Sequence, residues 1–82
     1  MLLDITAVSY LEGYKLLLTF ENNEQKVVDL SNRLEGPIFE AVKDISVFKK
    51  VFVDKSLGTI VWPNGADKAP DMLYEIGTPH AN

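Results

Sequence analysis

Tyr14-Lys15-Leu16-Leu17-Leu18-Thr19-Phe20 is the stretch on which the fold turns. In an extended chain Tyr14, Leu16, Leu18 and Phe20 share one face, and Lys15, Leu17 and Thr19 share the other. A period of two marks a half-buried β-strand. Toward the N-terminus, Ile5 to Leu11 is apolar and β-prone, and Glu12-Gly13 between the two runs suits a tight hairpin. Toward the C-terminus, Asn22-Asn23 suits a two-residue hairpin turn, because asparagine tolerates positive φ. Glu24 to Leu30 then reads as a third strand, with Val28 and Leu30 toward the core and Val27 and Asp29 on the opposite face. The expectation is a three-stranded antiparallel meander.

Beyond it, Ser31 to Gly36 is polar and turn-like. Pro37 fits the first position of a helix that carries Ile38, Phe39 and Val42 on one side. Asp44 can cap a second helical turn in which Ile45 and Phe48 point inward. Val51 to Asp54 and Thr59 to Trp62 form a β-hairpin around Lys55-Ser56-Leu57-Gly58, with Gly58 free to take positive φ. Pro70 opens a C-terminal helix with Asp71 in its first turn, and Met72, Leu73 and Ile76 give it an apolar side. Gly77 and Pro79 stop it, and residues 79–82 read as a mobile tail. Strands first, short helices after, and hairpin-length connections indicate an α+β domain with a mainly antiparallel sheet.

The 82 residues make one domain, 1–82, with 46% hydrophobic and 24% charged residues. A net charge of -4 opposes broad contact with a phosphate backbone, so no direct nucleic-acid binding is expected. Lys49, Lys50 and Lys55 form the nearest basic cluster, but Asp44 and Asp54 flank it. Tyr10, Tyr14 and Phe20 lack the interleaved basic residues that base stacking on a single strand needs. With no cysteine there is no disulfide, thiolate zinc site or cysteine nucleophile. A reducing, cytoplasmic setting fits that composition. Met1-Leu2-Leu3-Asp4 lacks the features of a signal peptide, and no apolar run approaches the roughly 20 residues that cross a bilayer.

The densest concentration of special residues is Trp62-Pro63-Asn64-Gly65-Ala66-Asp67, followed by Ala69-Pro70-Asp71-Met72-Leu73-Tyr74. Trp62, Asn64, Gly65, Asp67, Asp71 and Tyr74 are therefore the candidate binding or junction residues. Each also has a structural reading. Trp62 suits the core, Asn64-Gly65 a turn, Asp71 the start of a helix, and Asp67 a helix cap or an Asx-type tie. His80 is the only histidine and lies too near the terminus to be held as a base, so no catalytic residue is assigned. Asp54, Asp67, Asp71 and Glu75 could converge to hold Mg²⁺ or act as an acid–base pair, but helix and turn chemistry explains them better. No metal and no cofactor is expected.

The same residues resemble the bacterial family known as domain of unknown function 2442. Its pattern is a Tyr-x-Leu-x-Leu-x-Phe strand, a Val-Asp-Leu-Ser segment, a Gly-x-Phe helix, a Phe-x-x-Val-x-Val-Asp strand, and a Trp-Pro-Asn-Gly-x-Asp and Ala-Pro-Asp-x-Leu-Tyr ending. This chain has Tyr14, Leu16, Leu18 and Phe20, then Val28-Asp29-Leu30-Ser31, then Phe48, Val51, Val53 and Asp54, and both C-terminal motifs. Gly36-Pro37-Ile38-Phe39 has one residue more than the pattern between glycine and phenylalanine. The resemblance implies a small α+β fold and no established activity. Some relatives carry a helix-turn-helix domain, and others are encoded beside a second small protein in an arrangement like toxin–antitoxin pairs.

The expectation is a non-catalytic protein-interaction module, antitoxin-like or accessory to a neighbouring gene product. It would dock through an open sheet edge or the Trp62 junction, and its acidity suits a basic partner. A second expectation is a ligand- or metal-sensing site formed by Asn64, Asp67 and Asp71 near Trp62. A third is a homodimer formed through open edges.

Overall fold

The computed structural model describes residues 3–80, and Met1, Leu2, Ala81 and Asn82 lie outside the described residues. Strand β1 spans Ile5–Glu12, β2 Lys15–Phe20 and β3 Gln25–Asp29. They are followed by a 3-10 turn at Pro37–Phe39, α1 at Ile45–Phe48, β4 at Phe52–Asp54, β5 at Thr59–Val61, α2 at Pro70–Ile76 and β6 at Thr78–Pro79. One sheet has the order β1-β2-β3-β6 with every pair antiparallel, and β4-β5 is a separate two-stranded hairpin. The protein is a mixed α+β fold dominated by antiparallel sheet.

Alternation along β2 sets the layering. Leu16, Leu18 and Phe20 are fully enclosed, while Lys15, Leu17 and Thr19 between them are exposed or half-buried. Ile5 and Val28 join the enclosed face from the neighbouring strands, and Leu30 closes its end. Against it pack Phe39, Val42, Phe48, Ile60, Trp62 and Leu73 from the elements that follow β3. Sheet and cover thus form two layers around one apolar cluster.

Several local expectations are corrected. The first hairpin loop is Gly13-Tyr14 rather than Glu12-Gly13, since Glu12 still pairs with Lys15. The second loop has three residues rather than two. Phe20 N–H donates to Glu24 O at 2.9 Å, Asn23 N–H to Phe20 O at 2.8 Å, and Asn23 has φ 70. A turn followed by a left-handed residue is the usual three-residue hairpin solution. Asn22 adds an Asx bond, its Oδ1 accepting from Glu24 N–H at 3.0 Å.

Pro37 opens a 3-10 turn, not an α-helix, and Ile38 is 48% exposed. Such a turn rotates about 120° per residue, so Phe39 and Val42, three apart, share the core side and Ile38 cannot. Asp44 does cap α1, its Oδ1 accepting from Ser46 N–H at 2.9 Å, but only Phe48 is enclosed and Ile45 stays half-buried.

The chain end departs further from expectation. Thr78 and Pro79 form β6 against Val27 and Lys26, and His80 N–H donates to Gln25 O at 3.0 Å. Pro79 and His80 are therefore tied to the sheet rather than trailing from it; the last two residues of the expected tail lie outside the described residues. Gly77 has φ -70 and ψ 148, an ordinary extended conformation, so it does not stop α2 by turning left-handed. A Cβ added there would lie 2.9 Å from Lys26 Cβ and 3.0 Å from Leu73 O. Close approach, not φ, is what the position demands.

Candidate functional site

Trp62 sits at the centre of the covering layer with no exposed surface. Its Nε1–H donates to Phe48 O at 3.1 Å, so the indole brings no unpaired polar atom into the core. Phe39 meets it edge-on and Phe48 at a tilt, both with ring centroids 5.8 Å away. The residue is structural and presents no surface to a partner.

The loop that follows closes on itself. Gly65 N–H donates to Trp62 O at 2.9 Å and Trp62 N–H to Ala66 O at 2.8 Å. Gly65 takes φ 90, which a side chain would resist. Asn64 serves two ends at once. Its Oδ1 accepts from Ala66 N–H at 3.1 Å, and its Nδ2 donates to Ile38 O at 2.8 Å, joining the loop to the 3-10 turn. Asn64, read from the sequence as a turn former, is also a cross-brace.

Asp67 is exposed, and its backbone forms an isolated bridge with Val61. It does not cap α2: the cap position is Ala69, without a side-chain hydrogen bond. Asp71 stands in the first turn of α2 and accepts from Met72 N–H at 3.0 Å. Asp54 is held in its own turn by Ser56 N–H at 2.9 Å and Leu57 N–H at 3.2 Å. Among the described residues no three histidine, aspartate or glutamate side chains cluster as metal ligands would. Two surface hollows also lie elsewhere. One, about 450 Å³, is lined by Lys15, Val27, Asp29, Arg33, Ile76 and Thr78 among others; the other, about 380 Å³, by Asp4, Ile5, Thr6, Glu21, Lys55 and Gly58.

Lys68 carries a role that its type alone does not announce. Its Nζ donates to Arg33 O and lies 4.4 Å from the centre of the Phe39 ring. Burial pushes its ammonium pKa down, against the opposing charge of Glu35.

Tyr74 joins α2 to the β2-β3 hairpin. Its ring stands edge-on to Phe20 at 5.0 Å, its hydroxyl donates to Glu24 Oε1, and Lys26 Nζ lies 3.6 Å over the ring while donating to Tyr74 O at 2.7 Å. The Tyr74 hydroxyl, and after it the Asn22 amide, hold the Glu24 carboxyl below its ordinary value. A carboxylate with a lowered folded-state pKa stabilises the fold above the ordinary carboxylate range and loses that contribution as pH falls through the folded value. The same bond raises the Tyr74 phenol, whose contribution is present below its ordinary range and is lost as pH rises through the raised value. Tyr74→Phe should therefore flatten the fall in melting temperature between about pH 6 and about pH 3. Thermal melts of both proteins across that range check it; parallel profiles would show that this bond carries no acid sensitivity.

Tyr10 and Tyr14 both pack edge-on against Phe48, at 6.0 and 5.1 Å, and the Tyr14 hydroxyl donates to Lys43 O. Their rings are half-buried on the core side of the sheet.

A different feature is the outer edge of β1, which the β4-β5 hairpin approaches without pairing to it. Phe20 N–H bonds to β3 through Glu24 O, so alternation turns the backbone groups of Phe20, Leu18 and Leu16 toward β3. Their β1 partners are Ile5, Val8 and Tyr10, whose backbone groups consequently point away from the sheet. Ile5 N–H is satisfied by Gly58 O at 2.9 Å. Among the described residues no backbone bond satisfies Val8 or Tyr10 on that side. Register shifts between Ile5 and Ala7 and between Tyr10 and Glu12 bound this segment. No residue from Ile5 to Leu11 is charged, and Leu11 is 42% exposed. The uncharged run was visible in the sequence; which of its N–H groups point outward was not.

No helix among the described residues is long and apolar enough to cross a membrane. No curated protein and no solved structure matches the chain. A family model described as a protein of unknown function, DUF2442, matches residues 5–79. With that match running from β1 to β6 and through both C-terminal motifs, the chain belongs to the DUF2442 family.

Proposed function

We propose that this domain is a non-catalytic protein-interaction module that accepts an extended segment of a protein partner along β1. The observation that carries the reading is the unsatisfied pair of outward-facing backbone positions, Val8 and Tyr10, on a strand without charge. Open edges are usually blunted by lysine, proline or a covering loop, and strand addition supplies affinity through main-chain hydrogen bonds. Here the β4-β5 hairpin lies beside β1 without pairing to it, and Gly58 O bonds only the first residue of the strand. The Trp62 junction is the poorer docking site, because the indole is enclosed and Asn64 is committed to Ile38 and Ala66.

Val8→Pro tests the reading. Proline removes an N–H that no described group uses, and edge positions of sheets tolerate it. The variant should melt within a few degrees of the parent, roughly what a change under 1 kcal/mol gives in a domain of this size. A stoichiometric partner captured from native lysate by the parent should be lost by the variant. Capture of no such partner, or equal capture by both proteins, would remove the basis for docking at β1.

A further inference from the structure

We propose that Asn64-Gly65 is a self-modification site gated by the fold. The closed junction preserves the Asn64 carboxamide, and an opened junction loses it irreversibly to attack by the Gly65 amide.

The reaction needs only the chain and water. The Gly65 nitrogen attacks Asn64 Cγ and gives up its proton, the Cγ–Nδ2 bond breaks, and ammonia leaves. The product is a five-membered succinimide. Water then cleaves one of the two bonds to the ring nitrogen. Cleavage at Cγ leaves aspartate, and cleavage at the former peptide carbonyl leaves isoaspartate, with the backbone running through Cβ and Cγ. No oxidant, reductant or cofactor enters.

Sequence selects the position. Asparagine is among the thermolabile residues, and its neighbour decides how easily the ring closes. Asn22, Asn23 and Asn32 precede asparagine, glutamate and arginine, whereas Asn64 precedes glycine. Glycine has no Cβ to hinder its nitrogen or to restrict the backbone rotation that attack requires.

The fold withholds that geometry. Gly65 N–H donates to Trp62 O at 2.9 Å, which closes a turn with Pro63 and Asn64 at its centre. Asn64 does not have positive φ, so the turn is of type I rather than type II, and Asn64 ψ lies near about 0°. Ring closure requires Asn64 Cβ to eclipse the Gly65 nitrogen about the Cα–C bond. Tetrahedral geometry places that conformer roughly 120° from the turn value, outside the α and β regions. The carboxamide is also pinned at both ends, Oδ1 by Ala66 N–H at 3.1 Å and Nδ2 by Ile38 O at 2.8 Å. Attack must break all three bonds. Asn64 and Gly65 are both exposed, so conformation rather than exclusion of water protects them.

Neither product fits back into the junction. Aspartate sets a carboxylate oxygen against Ile38 O, where the carboxamide had donated. Isoaspartate lengthens the backbone inside the loop that Trp62 N–H closes on Ala66 O at 2.8 Å. A copy whose junction has opened is thereby marked and kept from closing normally.

The chain should be incubated at neutral pH and one temperature, folded and in urea, and its peptides read by mass spectrometry for replacement of the amide by a carboxyl. In urea Asn64 should react before Asn22, Asn23 or Asn32. In the folded chain it should react at least about tenfold more slowly, because only the locally opened fraction is competent. Asn64→Asp supplies one product directly and should melt about 5–10 °C below the parent. Equal rates in the two states overturn the gating. Earlier reaction at another asparagine in urea overturns the site. An Asn64→Asp protein that melts with the parent overturns the claim that the mark prevents normal closure.

Discussion

Trp62→Ala is expected to abolish cooperative folding or leave a domain that melts far below the parent. The indole is fully enclosed, contacts Phe39 and Phe48, and donates its only N–H to Phe48 O at 3.1 Å. Removing a buried aromatic side chain costs about 3–5 kcal/mol, because transfer free energy is lost and a cavity remains. A domain of 82 residues has about 4–12 kcal/mol of total stability, so one substitution removes a large part of it. Trp62→Phe separates packing from hydrogen bonding: most of the ring contact stays, and the Phe48 carbonyl keeps only the longer bond from Val51 N–H at 3.3 Å, at about 0.5–1.5 kcal/mol. Thermal and denaturant melts followed by circular dichroism should rank parent, Trp62→Phe and Trp62→Ala in that order. A Trp62→Ala protein melting within a few degrees of the parent would contradict the core assignment.

Gly77→Val is expected to give the second largest loss, about 1–3 kcal/mol, with the damage concentrated at β6. The Cβ would press on Lys26 Cβ and on the Leu73 carbonyl, and the carbonyl cannot rotate away as a side-chain tip can. Lys26 has little room to yield, because its amine is held between the Tyr74 ring and the Tyr74 carbonyl. Relief requires the α2–β6 connection to move, which breaks the Thr78–Val27 pairing and the bond from His80 N–H to Gln25 O. Amide exchange should accelerate at Thr78 and His80 before the β1-β2-β3 strands respond. A series distinguishes close approach from backbone conformation. Crowding predicts stability in the order glycine, alanine, asparagine, whereas a left-handed requirement would favour asparagine over alanine. Asparagine outranking alanine would refute the crowding argument.

These two residues also show where a sequence can be read and where it cannot. The strand face Leu16, Leu18 and Phe20 was legible because period-two burial depends only on which side of an extended chain a residue occupies. Asp44 as a cap and Pro70 as a helix start were legible because both effects act within one turn. Ile38 was misread because a 3-10 turn and an α-helix begin alike, and the contacts beyond decide which forms. Gly77 was misread because a glycine required for φ and one required for space look the same in a sequence.

The candidate segment divides along the same line. Turn formation at Asn64-Gly65 and the helix start at Pro70 were written locally, and Trp62 could be assigned to the core from its size in a small domain. The brace from Asn64 to Ile38 spans 26 residues, the Lys68 tie to Arg33 spans 35, and the bond from Tyr74 to Glu24 spans 50. No local pattern encodes such partners.

By itself the sequence determined the α+β class, the core face of the central strand and the family, because each rests on short-range periodicity or on contiguous motifs. The tertiary structure alone decided that Trp62 is enclosed, that Asn64 is a brace, that Thr78–Pro79 complete the sheet, and that the backbone groups of Val8 and Tyr10 face away from β2. Those outcomes depend on which distant backbone group arrives opposite each residue, and that is fixed only when the whole chain has packed.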